Sequence, residues 1–149
     1  MRTSRTPAQR RRSSVAVQRA VRAAPPARRL RAWALAAARA GSEITLRVVG
    51  AAEARTLNRA FRQRDYATNV LSFAYSRWQG DVVLCHPVIA REAQARGKTL
   101  AAHYAHLVVH GVLHLQGLDH LRARAAKRME RAEIRILRRL RVADPYAVK

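Results

Sequence analysis

The chain has 149 residues, 49% of them hydrophobic, enough for one core and too few for two domains of ordinary size. Its 30 lysines and arginines against 9 acids give a net charge of +21, beyond what solubility requires, and point to a polyanionic partner, nucleic acid first, with genomic base composition as a contributing cause. The single cysteine, Cys85, excludes an internal disulfide framework, and the longest apolar stretches, Trp33 to Ala38 and Val108 to Leu115, fall well short of the roughly 20 residues of a membrane span.

Residues 1–13 hold five arginines and almost nothing apolar, and are expected to be a disordered basic tail preceding a single domain at 14–149. No apolar signal core is present there. The Arg-rich start, free of acids before Glu43, also suits an organelle transit peptide, but folded structure is expected from Ser14 and a bacterial cytoplasm is the preferred location.

Val15 to Gln18 alternates as a short strand, and Pro25-Pro26 precedes a helix over about Ala27 to Ala40 with Leu30, Trp33 and Ala37 on one stripe and Gly41 at its end. Glu43 to Val49 alternates with β-branched residues and predicts a strand, followed by a helix over Ala51 to Arg62. Asn69 to Tyr75 and Asp81 to Cys85 are two further strands expected to pair. Pro87 suits the first turn of a helix reaching about Arg96, before Gly97. Thr99 can cap the next helix, to about Gln116, whose apolar positions Leu100, Tyr104, Leu107, Val108 and Leu115 make it the most buried one. A last, basic helix over about Ala123 to Leu140 keeps Met129, Ala132, Ile136 and Leu140 as a narrow inner seam. The sum is a small α+β domain with one mostly contiguous mixed sheet packed with helices.

The chemistry concentrates in HGVLHLQGLDH, residues 110–120. His110 and His114 are one helical turn apart, an advance of about 6 Å, so both imidazoles stand on one face. Gly117 lets the chain leave the helix and bring His120 toward the same point. Three neutral imidazoles with an open fourth position make a hydrolytic metal site rather than a closed structural one. Zinc is the default ion, and imidazole also suits nickel, copper and iron. Asp119 either orients a ligand or caps the turn. The spacing also occurs in metzincin proteases, where a glutamate after the first histidine is the general base. Gly111 occupies that position here, which leaves metal-assisted hydrolysis with another proton acceptor and removes the peptidase base.

The segment HGVLHLQGLDH resembles the HGxLHLxGxDH signature of the YbeY family of endoribonucleases that mature ribosomal RNA. LNRAFRQRDYATNVLSF and GDVVLC resemble two further blocks of that family, so the likeness runs in order from about Thr45 to Leu137. The resemblance implies an α+β fold with a metal site beside a basic groove, and hydrolysis of single-stranded RNA in 16S rRNA 3′-end maturation and ribosome quality control, with ribosomal RNA and the small ribosomal subunit as partners. It implies metal ligands at His110, His114 and His120, and catalytic roles for His114 and for Arg62. An arginine suits that role because its planar fork clamps a phosphate and stabilises charge developing in the transition state. Two departures stand out: LRARAAKR follows His120 where the family is usually acidic, and acids usual near Gly50 to Ala52 are missing.

Other residues support two readings each. His103 and His106 are packed or solvated histidines, or neighbours of the metal ligands. Cys85 is expected to be a small buried hydrophobe beside His86 at a strand end. Asn69 and Ser72 hold either substrate or backbone, and Phe61, Tyr66 and Trp78 either stack on bases or belong to the core and rim. The rival functions are a non-catalytic RNA-binding assembly factor with a structural metal, and a metalloprotease.

Overall fold

Alternating and β-branched residues build four strands, β1 (Ser14–Arg19), β2 (Glu43–Val49), β3 (Val70–Ala74) and β4 (Gln79–Cys85). Five helices accompany them: α1 (Ala27–Ala37), α2 (Ala51–Arg62), α3 (His86–Ala95), α4 (Leu100–Leu115) and α5 (Ala123–Arg139). These come from a computed structural model that describes residues 12–62, 68–118 and 123–147, with the backbone alone for Arg62. The sheet order is β1-β2-β4-β3. β1, β2 and β4 run parallel, with Ser14 opposite Glu43 and Glu43 opposite Gln79, while β3 pairs antiparallel with β4, Val70 opposite Leu84.

Because side chains alternate along each strand, the sheet presents two apolar faces. Leu46, Val48, Val82 and Leu84 join the larger core with Leu30, Trp33 and Ala34 of α1 and the apolar positions of α4. Val49, Leu71, Val83 and Cys85 form a smaller core with Ala54 of α2. Each aliphatic side chain removed from water in this way contributes about 1.5–3 kcal/mol. The side-chain oxygen of Ser13 is already tied in, donating to the Arg39 carbonyl at 2.9 Å.

α4 lies at the centre, with ten of its 16 residues buried, and packs on α1, α3, α5, β3 and β4. Thr99 caps it, its hydroxyl accepting from the Ala102 amide at 3.1 Å. The helix approaches the sheet closely at Gly111, where a Cβ would lie 2.7 Å from Val82 Cγ1 and 3.3 Å from Ser72 Oγ. The Ser72 hydroxyl uses this approach to donate to the Gly111 carbonyl at 3.0 Å.

The largest boundary difference from expectation is at the end of α1. α1 stops at Ala37 instead of Ala40, and Ala38 is extended. The cause is a contact distant in sequence: the Gln116 side chain donates to the Ala37 carbonyl at 2.9 Å and accepts from the Arg39 amide at 2.6 Å. Two hydrogen bonds to backbone groups that more helix would have used outweigh the modest helix preference of three residues.

Gly111→Ala tests the close approach. Alanine is favoured over glycine in a helix by about 1 kcal/mol, whereas overpacking a rigid, buried Val82 costs about 1–3 kcal/mol. A net loss of stability is expected in urea denaturation; a gain would mean that helix and sheet do not meet here as described.

Candidate metal centre

α4 repeats histidine every four residues, so His106, His110 and His114 share one stripe with successive ring centroids 6.2 and 6.0 Å apart. The stripe runs outward. His106 is buried, whereas His110 and His114 are half-buried. At the end of α4 the Leu118 amide donates to the Leu113 carbonyl at 3.2 Å and the Gly117 amide to the His114 carbonyl at 3.1 Å. Gly117 takes the left-handed φ of 90° this exit requires.

The inner half of the stripe faces Glu133 of α5, which is 1% exposed. Glu133 Oε2 lies 2.6 Å from His106 Nε2 and 2.7 Å from the Tyr146 hydroxyl, and Oε1 lies 3.1 Å from His110 Nδ1. Burial pushes this carboxyl up, but the hydrogen bonds of His106, His110 and Tyr146, with the charge attraction of His106, outweigh it and hold the pKa at about 2. An ionised carboxylate only accepts, so the ring nitrogens and hydroxyl facing it are donors. Burial and then the Glu133 hydrogen bond push the Tyr146 phenol up in turn. Tyr146 is delivered by the C-terminal segment, where its amide donates to Asp144 Oδ1 at 2.8 Å and Lys98 Nζ donates to the Pro145 carbonyl at 3.2 Å.

Among the described residues, His106, His110 and Glu133 form a group able to hold a metal ion, with ligand atoms within 4.8 Å of one another. Of the residues singled out by sequence, His110 and His114 stand together on α4. His120, Asp119 and Tyr66 lie outside the described residues, and Arg62 closes α2 with its side chain outside them. Sequence reasoning missed Glu133 and Tyr146. The available signal for Glu133 was an acid at i+4 from buried Met129, on the inner side of a helix whose other charges are mostly basic.

The remaining candidates are structural in their contacts. His103 Nε2 lies 3.0 Å from Glu92 Oε1, which also accepts from Asn69 Nδ2 at 3.1 Å. Burial pushes the His103 ring down, and it would raise Glu92, but the bonds from His103 and Asn69 hold that carboxyl low. His86 Nδ1 meets the Tyr104 hydroxyl at 2.6 Å. Cys85 is buried, which raises its thiol pKa. Ser72 holds helix backbone, Phe61 is 66% exposed with its ring edge-on to Phe73, and half-buried Trp78 lies under the Arg39 guanidinium at 5.2 Å.

Fold and site together define a small α+β protein with a histidine-lined centre able to take a metal ion. A family model described as Endoribonuclease YbeY matches residues 9–141. The chain is 52% identical over 144 residues to a relative named Endoribonuclease YbeY from Aromatoleum aromaticum, covering 91% of this chain and 94% of the relative. It is 58% identical over 113 residues to one of the same name from Bordetella petrii, covering 72% and 73%. Its fold is similar to the solution structure of a Thermotoga maritima protein, with a TM-score of 0.55 and 18% identity over 91% of this chain and 100% of the other. The chain therefore belongs to the YbeY endoribonuclease family.

Tyr146→Phe removes one donor from a buried carboxylate and should lower stability by about 1–2 kcal/mol near pH 7. Urea denaturation measures it, and an unchanged midpoint would mean that the hydroxyl does not contribute to holding Glu133.

Proposed function

We propose that this protein is a metal-dependent endoribonuclease that cleaves single-stranded RNA during maturation of the small-subunit ribosomal RNA, with one ion, zinc by ligand type, held by His110, His114 and His120. The observation that carries the reaction class is membership of the YbeY endoribonuclease family over nearly the whole chain. The donor set fits such an ion: two half-buried imidazoles one turn apart, one with Nδ1 already fixed by a carboxylate, and a glycine turn leading toward the third. A divalent ion bound there supplies Lewis-acid stabilisation of the reacting phosphate and makes water a better nucleophile near neutral pH.

The chain's own residues supply the rest. Arg62, at the end of α2, is assigned to the phosphate, where its fork stabilises charge that develops in the transition state. Arg124, Lys127, Arg128, Arg131, Arg135, Arg138 and Arg139 are all exposed on α5. They gather RNA through counterion release without reading its sequence, as do the five arginines of residues 1–13. The small ribosomal subunit is the expected partner and the bacterial cytoplasm the expected place of action. Among the described residues no helix is long and apolar enough to cross a membrane. The position of the metzincin base is a glycine in this chain and is crowded, since a Cβ there would lie 2.7 Å from Val82 Cγ1.

The test is single-turnover cleavage of precursor small-subunit RNA by the purified chain, with and without a chelator, beside His114→Ala. Cleavage should be lost in both controls. Arg62→Ala should slow the saturated rate by about 10²–10³ with little change in affinity, whereas deleting residues 1–13 should leave that rate and flatten the salt dependence of binding by roughly 0.7 per lost phosphate contact. RNA that binds without being cut would favour a non-catalytic assembly factor, and a weakened affinity with unchanged rate in Arg62→Ala would make Arg62 one more surface charge.

A further inference from the structure

The group His106, His110 and Glu133 is close enough to share an ion, yet its hydrogen bonds assign it a different task. Two ligands at about 2.0–2.1 Å from a tetrahedral zinc stand about 3.3 Å apart, whereas His106 Nε2 and Glu133 Oε2 are 2.6 Å apart, a short direct hydrogen bond to a carboxylate. Both Glu133 oxygens are engaged, Oε2 by His106 and Tyr146 and Oε1 by His110. The carboxylate is 1% exposed and His106 is 9% exposed, so an ion between them would have no position open to substrate. His106 Nε2 is committed to Glu133, and its other nitrogen, Nδ1, is buried without a partner among the described residues.

The contact with His110 is of another kind. It uses Nδ1, and a neutral imidazole that donates from Nδ1 carries its lone pair on Nε2. Glu133 thus selects the tautomer that offers Nε2 as a ligand atom, and fixes the ring plane by holding one side of it. We propose that Glu133 is a positioning residue, not a metal ligand: through its bond to His110 Nδ1 it presents His110 Nε2 to the ion, while His106 and Tyr146 hold the carboxylate in place. This inference rests on the His110, His114 and His120 reading of the centre. It adds to it a chain of contacts from the C-terminal segment, through Tyr146 and Glu133, to a ligand.

The experiment uses the full chain. Nitrogen-15 NMR of the metal-free protein reports the His110 tautomer directly: the Nδ1-protonated form is expected in the unaltered chain and its loss in Glu133→Ala. Zinc affinity, measured by competition with a chromophoric chelator, should fall about tenfold in Glu133→Gln and about a hundredfold in Glu133→Ala, the range for removing a group that orients a ligand. The cobalt(II) absorption spectrum of Glu133→Gln should keep its shape, because the ligand set is unchanged. Should Glu133→Ala fail to fold, Tyr146→Phe, which loosens the carboxylate from its far side, should weaken zinc several-fold. A cobalt spectrum reshaped in Glu133→Gln would make Glu133 a ligand and overturn the inference. Unchanged zinc affinity with unchanged His110 tautomer in folded Glu133 variants would reduce it to a stability role, also against the inference. If His114→Ala retains full zinc affinity, it is the underlying three-histidine reading that fails.

Discussion

Everything at the centre depends on how closely α4 lies on the sheet. Gly111 leaves no side chain at the point where a Cβ would lie 2.7 Å from Val82 Cγ1, and Ser72 anchors the helix carbonyl there. With one side of α4 pressed against β3 and β4, its histidine stripe is left to face α5 and, further along, solvent. The residue that makes the packing possible also stands where a metzincin peptidase would carry its base. One small residue therefore decides both a packing distance and which chemistry the site is denied.

The second constraint is electrostatic. A carboxylate buried to 1% exposure is costly in isolation, even in a chain of net charge +21, and it persists because three donors from two other parts of the chain meet it. Removing one donor leaves a buried charge less compensated, so the network behaves as a unit. It ties together α4, α5 and the C-terminal segment, three consecutive parts of the chain, and the ring it steadies at its outer end is that of His110.

Most elements are legible in the sequence because their signals are local. Alternation gives β1 and β2, short apolar runs give β3 and β4, the i to i+4 spacing sets His110 and His114 on one face of α4, and Thr99 marks where that helix begins. What escapes local reading comes from contacts across the fold. α1 ends early because Gln116, 77 residues beyond Arg39, takes over its backbone groups. Glu133 reads as one more charge on a charged helix until α4 is placed against it, and Tyr146 reads as a tail residue until its hydroxyl is found on that carboxylate. A polar network is specified by pairs of distant residues, and a single periodic pattern contains no record of the partner.

The central claim is that the ion sits at the outer end of the stripe, steadied from behind by Glu133. Anomalous diffraction at the zinc edge from crystals of the full chain grown with zinc locates it most directly. A single peak about 2.0–2.1 Å from the Nε2 atoms of His110 and His114, with His120 completing the set and Glu133 still bonded to His110 Nδ1, is the predicted result. A peak between His106 and Glu133, with His114 uninvolved, would contradict the account.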